Sequence, residues 1–276
     1  MLGEKKNFFN SLEPKSALIV GLISGIMVLC TIGFIVMSAL FLSGNLGSCA
    51  EKTVKATTPA ANAAEQVAEV PKAEKPTVEL FVMSYCPYGL QMEKAFLPVM
   101  ELLKDKATMD IKFVSYAMHG QKEIDENTRQ YCIQKEQNGK FLTYLKCFTG
   151  KDDSAGCLTT AGIDTAKMNT CVAKADKDFG ISAAFADKAS WLSGQFPIYP
   201  VQADLNEQYG VQGSPTLIVN GVEASASRSP EAVKKLVCSS FKTPPDLCNQ
   251  VLSTAAAGAG FGTAAGAADA SAGCGG

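Results

Sequence analysis

The stretch that most restricts the fold runs from Thr77 to Leu103. Thr77-Val-Glu-Leu-Phe-Val-Met83 is dense in β-branched and apolar residues, the composition of a buried strand. Ser84-Tyr85-Cys86-Pro87-Tyr88-Gly89 interrupts it. From Leu90 onward Phe96, Val99, Met100 and Leu103 recur at the spacing that collects side chains on one face of a helix. Cys86 therefore stands where a strand passes into a helix. Pro87 suits the first helical position, because its fixed φ matches the first turn and its missing N–H would have had no partner there. A sulfur so placed meets open backbone N–H groups and the positive end of the helix dipole, which favour thiolate over thiol. In such places the ordinary cysteine pKa of ~8.5 falls to roughly 3.5 to 7.5.

The rest of the chain predicts what surrounds this unit. Residues 17–42 form an uncharged run that is longer than the roughly 20 residues a bilayer core requires and longer than a signal-peptide h-region. It predicts one transmembrane anchor. Leu46-Gly47-Ser48-Cys49 offers a looser alternative, a lipoprotein signal whose cysteine is lipidated. Residues 1–16 then read as a cytoplasmic N-terminus. Residues 43–76, rich in Ala, Lys, Glu, Pro and Thr, read as a flexible linker that cannot bury a core. Asp110 to Tyr116 alternates as a second strand, parallel to the first across the intervening helix. The pattern turns helical over about 124–202, with the clearest helices near Asp125 to Asn138 and Thr165 to Asp176. Tyr209-Gly-Val-Gln-Gly-Ser-Pro215 then leads into a strand ended by the Asn220-Gly221 turn. Ser229 caps a closing helix from Pro230. The domain spans 77–252, and 253–276 is an Ala/Gly/Ser tail expected to be disordered.

Ten cysteines without a Cys-x-x-Cys pair, and a single histidine, give no zinc pattern. Such cysteine usage outside a metal site points to an oxidising compartment, hence an extracytoplasmic domain, periplasmic or at the cell surface. Cys238 and Cys248 bracket a short loop and are expected to pair. Cys132, Cys147, Cys157 and Cys171 form two further bridges in one of three connectivities. Cys49, Cys86 and Cys274 are left over outside the anchor, and Cys274 on its flexible tail is a candidate resolving thiol. The 25 basic and 27 acidic residues give no field suited to nucleic acid.

Strand, Cys-Pro-Tyr-x and a helix with an internal proline (Pro98) resemble the active site of the thioredoxin superfamily. Its second cysteine is replaced here by Gly89. The resemblance implies that Cys86 and Pro87 are catalytic with Pro215, that the Ser214–Pro215 bond is cis, and that Tyr85, Tyr88, Gly89, His119 and Ser214 line the substrate groove. A helical block between the two halves of the fold resembles the DsbA-like arrangement. His119-Gly120-x-x-Glu123-x-x-x-Asn127-x-x-x-x-Cys132 is similar to part of the signature of the gamma-interferon-inducible lysosomal thiol reductase family, with Ala117 and Ile124 in place of two of its cysteines.

Together these features predict an α/β, thioredoxin-like fold with a helical insertion, preceded by one transmembrane helix. The expected activity is a membrane-anchored monothiol reductase or isomerase acting on protein or small-molecule disulfides and thiols, with a membrane redox partner and no cofactor or metal. The alternative is a non-catalytic binding or chaperone module. A cysteine hydrolase finds no support beyond His119, and Cys-Pro-Tyr-Gly differs from the Cys-Gly-Phe-Ser of iron–sulfur-carrying monothiol glutaredoxins.

Overall fold

The computed structural model describes residues 70–262, together with Met27 and Thr31. The anchor expected over 17–42 therefore lies outside the described residues, apart from those two helical positions. Among the described residues no helix is long and apolar enough to cross a membrane.

Strand β1 (Thr77–Val82) feeds helix α1 (Pro87–Leu103), which returns the chain to β2 (Thr108–Phe113). β1 and β2 are parallel, with Leu80 opposite Ile111. The chain then leaves the sheet for α2 (Gln121–Glu136), α3 (Asn138–Lys151), α4 (Ser154–Thr160), α5 (Thr165–Phe179) and α6 (Ile181–Ala186). It comes back through α7 (Ala203–Tyr209) to the hairpin of β3 (Thr216–Val219) and β4 (Val222–Ala224), and closes with α8 (Pro230–Ser239). The strand order is β2-β1-β3-β4, and β3 runs antiparallel to both β1 and β4. Asn220 and Gly221 form the hairpin turn, both at positive φ, as a two-residue turn that follows the strand twist requires.

Alternation along β1 builds two apolar layers. Val78, Leu80 and Val82 face Phe96, Val99, Leu103, Val233 and Val237 on one side. Phe81 and Met83 face the other side, with Val114, Ile218, Leu205 and Tyr209, and Cys86 joins this second layer. With both faces covered, β1 can be apolar throughout its second half.

The six remaining described cysteines form three bridges. Cys132 on α2 joins Cys171 on α5, Cys147 on α3 joins Cys157 on α4, and Cys238 joins Cys248. The first closes a loop of 39 residues and the others 10 each. By chain-entropy arithmetic that is about 4 and about 3 kcal/mol respectively.

Three expected boundaries move. Helix α2 starts at Gln121, because Gly120 at φ 67° turns the chain into it ahead of the apolar pattern. Residues 70–76, expected as linker, pack on the domain: Val70 and Pro76 are buried, and Ala73 pairs with Phe241 through Ala73 N–H to Ser240 O and Lys242 N–H to Ala73 O, each 2.9 Å. The tail expected to be disordered from Ser253 is held against the domain as far as Gly262. Its backbone groups find protein partners there, and Phe261 finds an aromatic seat.

Candidate active site

Cys86 is the N-cap of α1, with Pro87 at the first helical position. Its Sγ lies 3.4 Å from the Gly89 N–H, which donates to it, and 3.5 Å from the Ser214 carbonyl oxygen. The Ser214–Pro215 bond is cis. The expected meeting of the cysteine, the helix N-terminus and the proline loop is thus present. Cys86 is fully buried and is disulfide-bonded. That corrects its expected standing as a left-over cysteine; the six other described cysteines pair among themselves.

Ser214 does more than line the groove. Its Oγ accepts from the Met83 N–H at 2.9 Å and ties the proline loop to the end of β1. It also occupies the space beside Gly89. A Cβ at position 89 would stand 2.6 Å from Ser214 Oγ, 3.2 Å from the Met83 carbonyl oxygen and 3.3 Å from Cys86 Cβ. Glycine is therefore matched to its surroundings, and a second cysteine at this position would need Ser214 and the local backbone to give way. The loop is pinned further by Tyr116, whose hydroxyl donates to Gln212 O at 3.0 Å, and by Thr216 Oγ1, which donates to Gly213 O at 2.9 Å. Burial raises the Tyr116 hydroxyl above its ordinary pKa and keeps it a donor.

The segment before Cys86 is held from α2. Glu123, fully buried, accepts from the Tyr85 N–H through Oε1 at 2.9 Å and from the His119 N–H through Oε2 at 3.0 Å. Asn127, also fully buried, accepts from the Ser84 N–H at 3.1 Å. His119 turns its Nδ1 to Glu123 Oε1 at 3.0 Å, so the ring serves the same clamp. Glu123 and Asn127 are named in the sequence reading only as part of a family signature, without the role of holding this loop. The signal was present, because both belong to the run from His119 to Cys132. In the structure that run is one device: Gly120 starts the helix, Glu123 and Asn127 face the loop, and Cys132 staples α2 to α5.

Around the rim, the Tyr85 ring carries Lys122 Nζ 4.2 Å from its centroid and meets Phe148 and Phe261 edge-on at 5.7 Å each. Tyr88 lies under the Arg228 guanidinium, 5.0 Å from the ring centroid. Arg228 also donates to Gln91 Oε1 at 3.0 Å. Seven residues beyond Cys86, Glu93 is fully buried on α1, and neither of its carboxyl oxygens has a hydrogen-bond partner among the described residues. Burial, and secondarily the nearby Glu126, push its pKa well above the ordinary value. Among the described residues no group of three or more His, Cys, Asp or Glu side chains is arranged to hold a metal ion.

A β-α-β unit, an antiparallel hairpin, a cis proline against a cysteine at a helix N-terminus and helices inserted between the two halves define a thioredoxin-like fold of the DsbA-like arrangement. No family model matches the chain, and no curated protein matches it. Among solved structures it is similar to reduced DsbA from Mycobacterium tuberculosis, at 18% identity over 66% of this chain and 93% of that one, with a TM-score of 0.45. It is similar to oxidised BdbD from Bacillus subtilis, at 20% identity over 61% and 90%, with a TM-score of 0.39. It is also similar to MdbA, a thiol-disulfide oxidoreductase from Actinomyces oris, at 12% identity over 62% and 83%, with a TM-score of 0.41.

Proposed function

We propose that this chain is a membrane-anchored, extracytoplasmic thiol-disulfide oxidoreductase whose redox centre is Cys86. The observation that carries the reading is the sulfur's position. Cys86 caps α1, receives the Gly89 N–H and faces the cis-proline loop, and the sulfur is itself engaged in a disulfide. The N–H donor and the helix end stabilise a thiolate, which is both the attacking group and the better leaving group in thiol–disulfide exchange. The proline at position 215 has no N–H to give to a ladder. An extended substrate can therefore approach the backbone beside the sulfur.

The reaction is exchange. The Cys86 thiolate attacks one sulfur of a substrate disulfide, the S–S bond breaks, and the other substrate sulfur leaves as thiolate and takes a proton from water. A second thiol then attacks the mixed disulfide and releases Cys86. The Cys-Pro-Tyr-Gly segment supplies one sulfur, which suits reduction of mixed disulfides or isomerisation with a low-molecular-weight thiol as the second reactant. Substrates are protein or small-molecule disulfides and thiols. The uncharged run over 17–42 supports a bilayer anchor, which would hold the domain near a membrane redox partner.

The test is glutathione-coupled turnover of a small disulfide by the full chain in detergent. Cys86→Ser is expected to lower the rate at least about a hundredfold, since it removes the nucleophile. Equal rates in the two proteins would sink the enzyme reading and leave the binding-module alternative.

A further inference from the structure

The segment that follows α8 is bound by one face of α1. Buried Gln91 takes the Arg228 guanidinium on Oε1 at 3.0 Å and donates from Nε2 to Ala257 O at 2.6 Å. Lys94 Nζ donates to Gly258 O and Gly260 O at 2.7 Å and to Gly262 O at 2.9 Å. An ammonium has three N–H donors, and three tail carbonyls take them. The Gly260 N–H donates to Pro87 O at 2.8 Å, and the Gly262 N–H donates to Thr149 O on α3 at 3.0 Å. Pro87, Gln91 and Lys94 stand at i, i+4 and i+7, which is a single stripe of the helix. Gly260 and Gly262 have φ of 72° and 105°, a region where other residues are strained. Glycine at both positions lets the backbone turn its carbonyls to Lys94 and its N–H groups to Pro87 and Thr149.

This run of chain touches both neighbours of Cys86. On one side Phe261 meets the Tyr85 ring edge-on at 5.7 Å and the fully buried Phe148 at 5.2 Å. On the other side is the bond from the Gly260 N–H to Pro87 O. Helix α2 holds the backbone N–H groups of Ser84 and Tyr85 through Asn127 and Glu123. The Tyr85 ring is held separately, among His119, Lys122, Phe148 and Phe261.

We propose that residues 257–262 are a positioning strap for the Cys86 site, acting through the Phe261 ring on Tyr85 and the Gly260 N–H on Pro87. The proposal rests on reading Cys86 as a redox centre. By fixing the Tyr85 ring and the Pro87 carbonyl, the strap holds the peptide units on either side of the cysteine. With them it holds the 3.4 Å approach of the Gly89 N–H to Sγ, which stabilises the thiolate. Phe261 is a positioning residue, since its effect on the sulfur passes through Tyr85. Cys274, expected further along the same tail, lies outside the described residues; the strap is made by residues 257–262 alone.

The test uses the full chain in detergent after mild reduction. The pH dependence of iodoacetamide labelling at Cys86 is read by mass spectrometry of its peptide. Phe261→Ala is expected to raise the labelling midpoint by about half a pH unit, the size of a helix-end interaction lost in part. Phe261→Tyr keeps the ring and is expected to keep the parent midpoint. The double variant Gly260→Ala/Gly262→Ala adds Cβ atoms that meet nothing within 4 Å, so it strains only the backbone path, and the midpoint is expected to rise as well. A midpoint unchanged in Phe261→Ala or in the glycine pair overturns the strap, as does an equal rise in Phe261→Tyr. Circular dichroism checks each fold, and if either Phe261→Ala or the glycine pair does not fold, the other decides. Failure of the wider reading shows instead as turnover that survives Cys86→Ser, whatever the labelling midpoints.

Discussion

Helices α1 and α2 both bury carboxylates, and they treat them in opposite ways. On α2, Glu123 accepts from two backbone N–H groups. Glu126 on the same helix accepts from Gln130 at 2.9 Å, Tyr144 at 2.7 Å, Ser154 at 2.7 Å and the Arg129 guanidinium. On α1, Glu93 is equally buried and has no hydrogen-bond partner among the described residues. A buried carboxyl without donors holds its proton, whereas one surrounded by donors is part of the scaffold. The contrast assigns α2 to holding the site's backbone in place. It assigns α1 a buried acid in the same helix as the sulfur.

The largest effect that would sharpen this contrast is expected from Glu126→Ala. It strands a guanidinium and three other donors, and chemical denaturation is expected to show a loss on the order of 3 kcal/mol. The hydrogen-bond partners of Glu126 all lie outside the cysteine loop, so the pH dependence of Cys86 alkylation in the reduced protein should stay as it was. Glu123→Ala is next, at about 2 kcal/mol for two backbone N–H groups left without their acceptor. Here the alkylation profile of Cys86 is expected to move as well, because Ser84 and Tyr85 set where the sulfur sits. A profile unchanged by Glu123→Ala would reduce Glu123 to a structural residue.

The smallest effect belongs to Glu93→Gln, and its sign depends on pH. The Glu93 pKa is raised in the folded state above its ordinary 4.5. The folded chain therefore keeps a proton that the unfolded chain releases above that pH. Stability from this group is fully present below about 4.5 and declines as pH climbs from there towards the raised folded value. Glutamine does not titrate. The variant and the parent should be of similar stability near pH 4, and the variant more stable by on the order of 1 kcal/mol at pH 7. A constant difference across that range would break the contrast between the two helices.

The candidate site was legible where its signal is local. Cys86 before Pro87 marks a helix N-terminus by chemistry that needs no distant partner, and the Ser229 cap of α8 follows the same logic, its Oγ accepting from Ala232 N–H at 3.4 Å. The Ser214-Pro215 loop was placed by resemblance. The clamp of Glu123 and Asn127 was not read as a clamp, although its residues had been singled out, because it spans 38 and 43 residues between partners. Towards the end of the helical pattern expected over about 124–202, only the six-residue α6 and a 3-10 turn at Lys188–Ser190 form, because a brief apolar run has too few residues to sustain a longer helix.

By itself, then, the sequence determined the strand–cysteine–helix unit and the helical character of the insertion, because each follows from neighbours within a turn or two of chain. Only the tertiary structure decided which of the three connectivities the bridges take, that Ser214 fills the space beside Gly89, and that an Ala/Gly tail lies along α1. Each of these depends on where distant backbone and side-chain groups come to rest. A segment such as 253–262 has no packing preference of its own; Lys94, Gln91 and Phe261 supply the donors and the anchor that hold it.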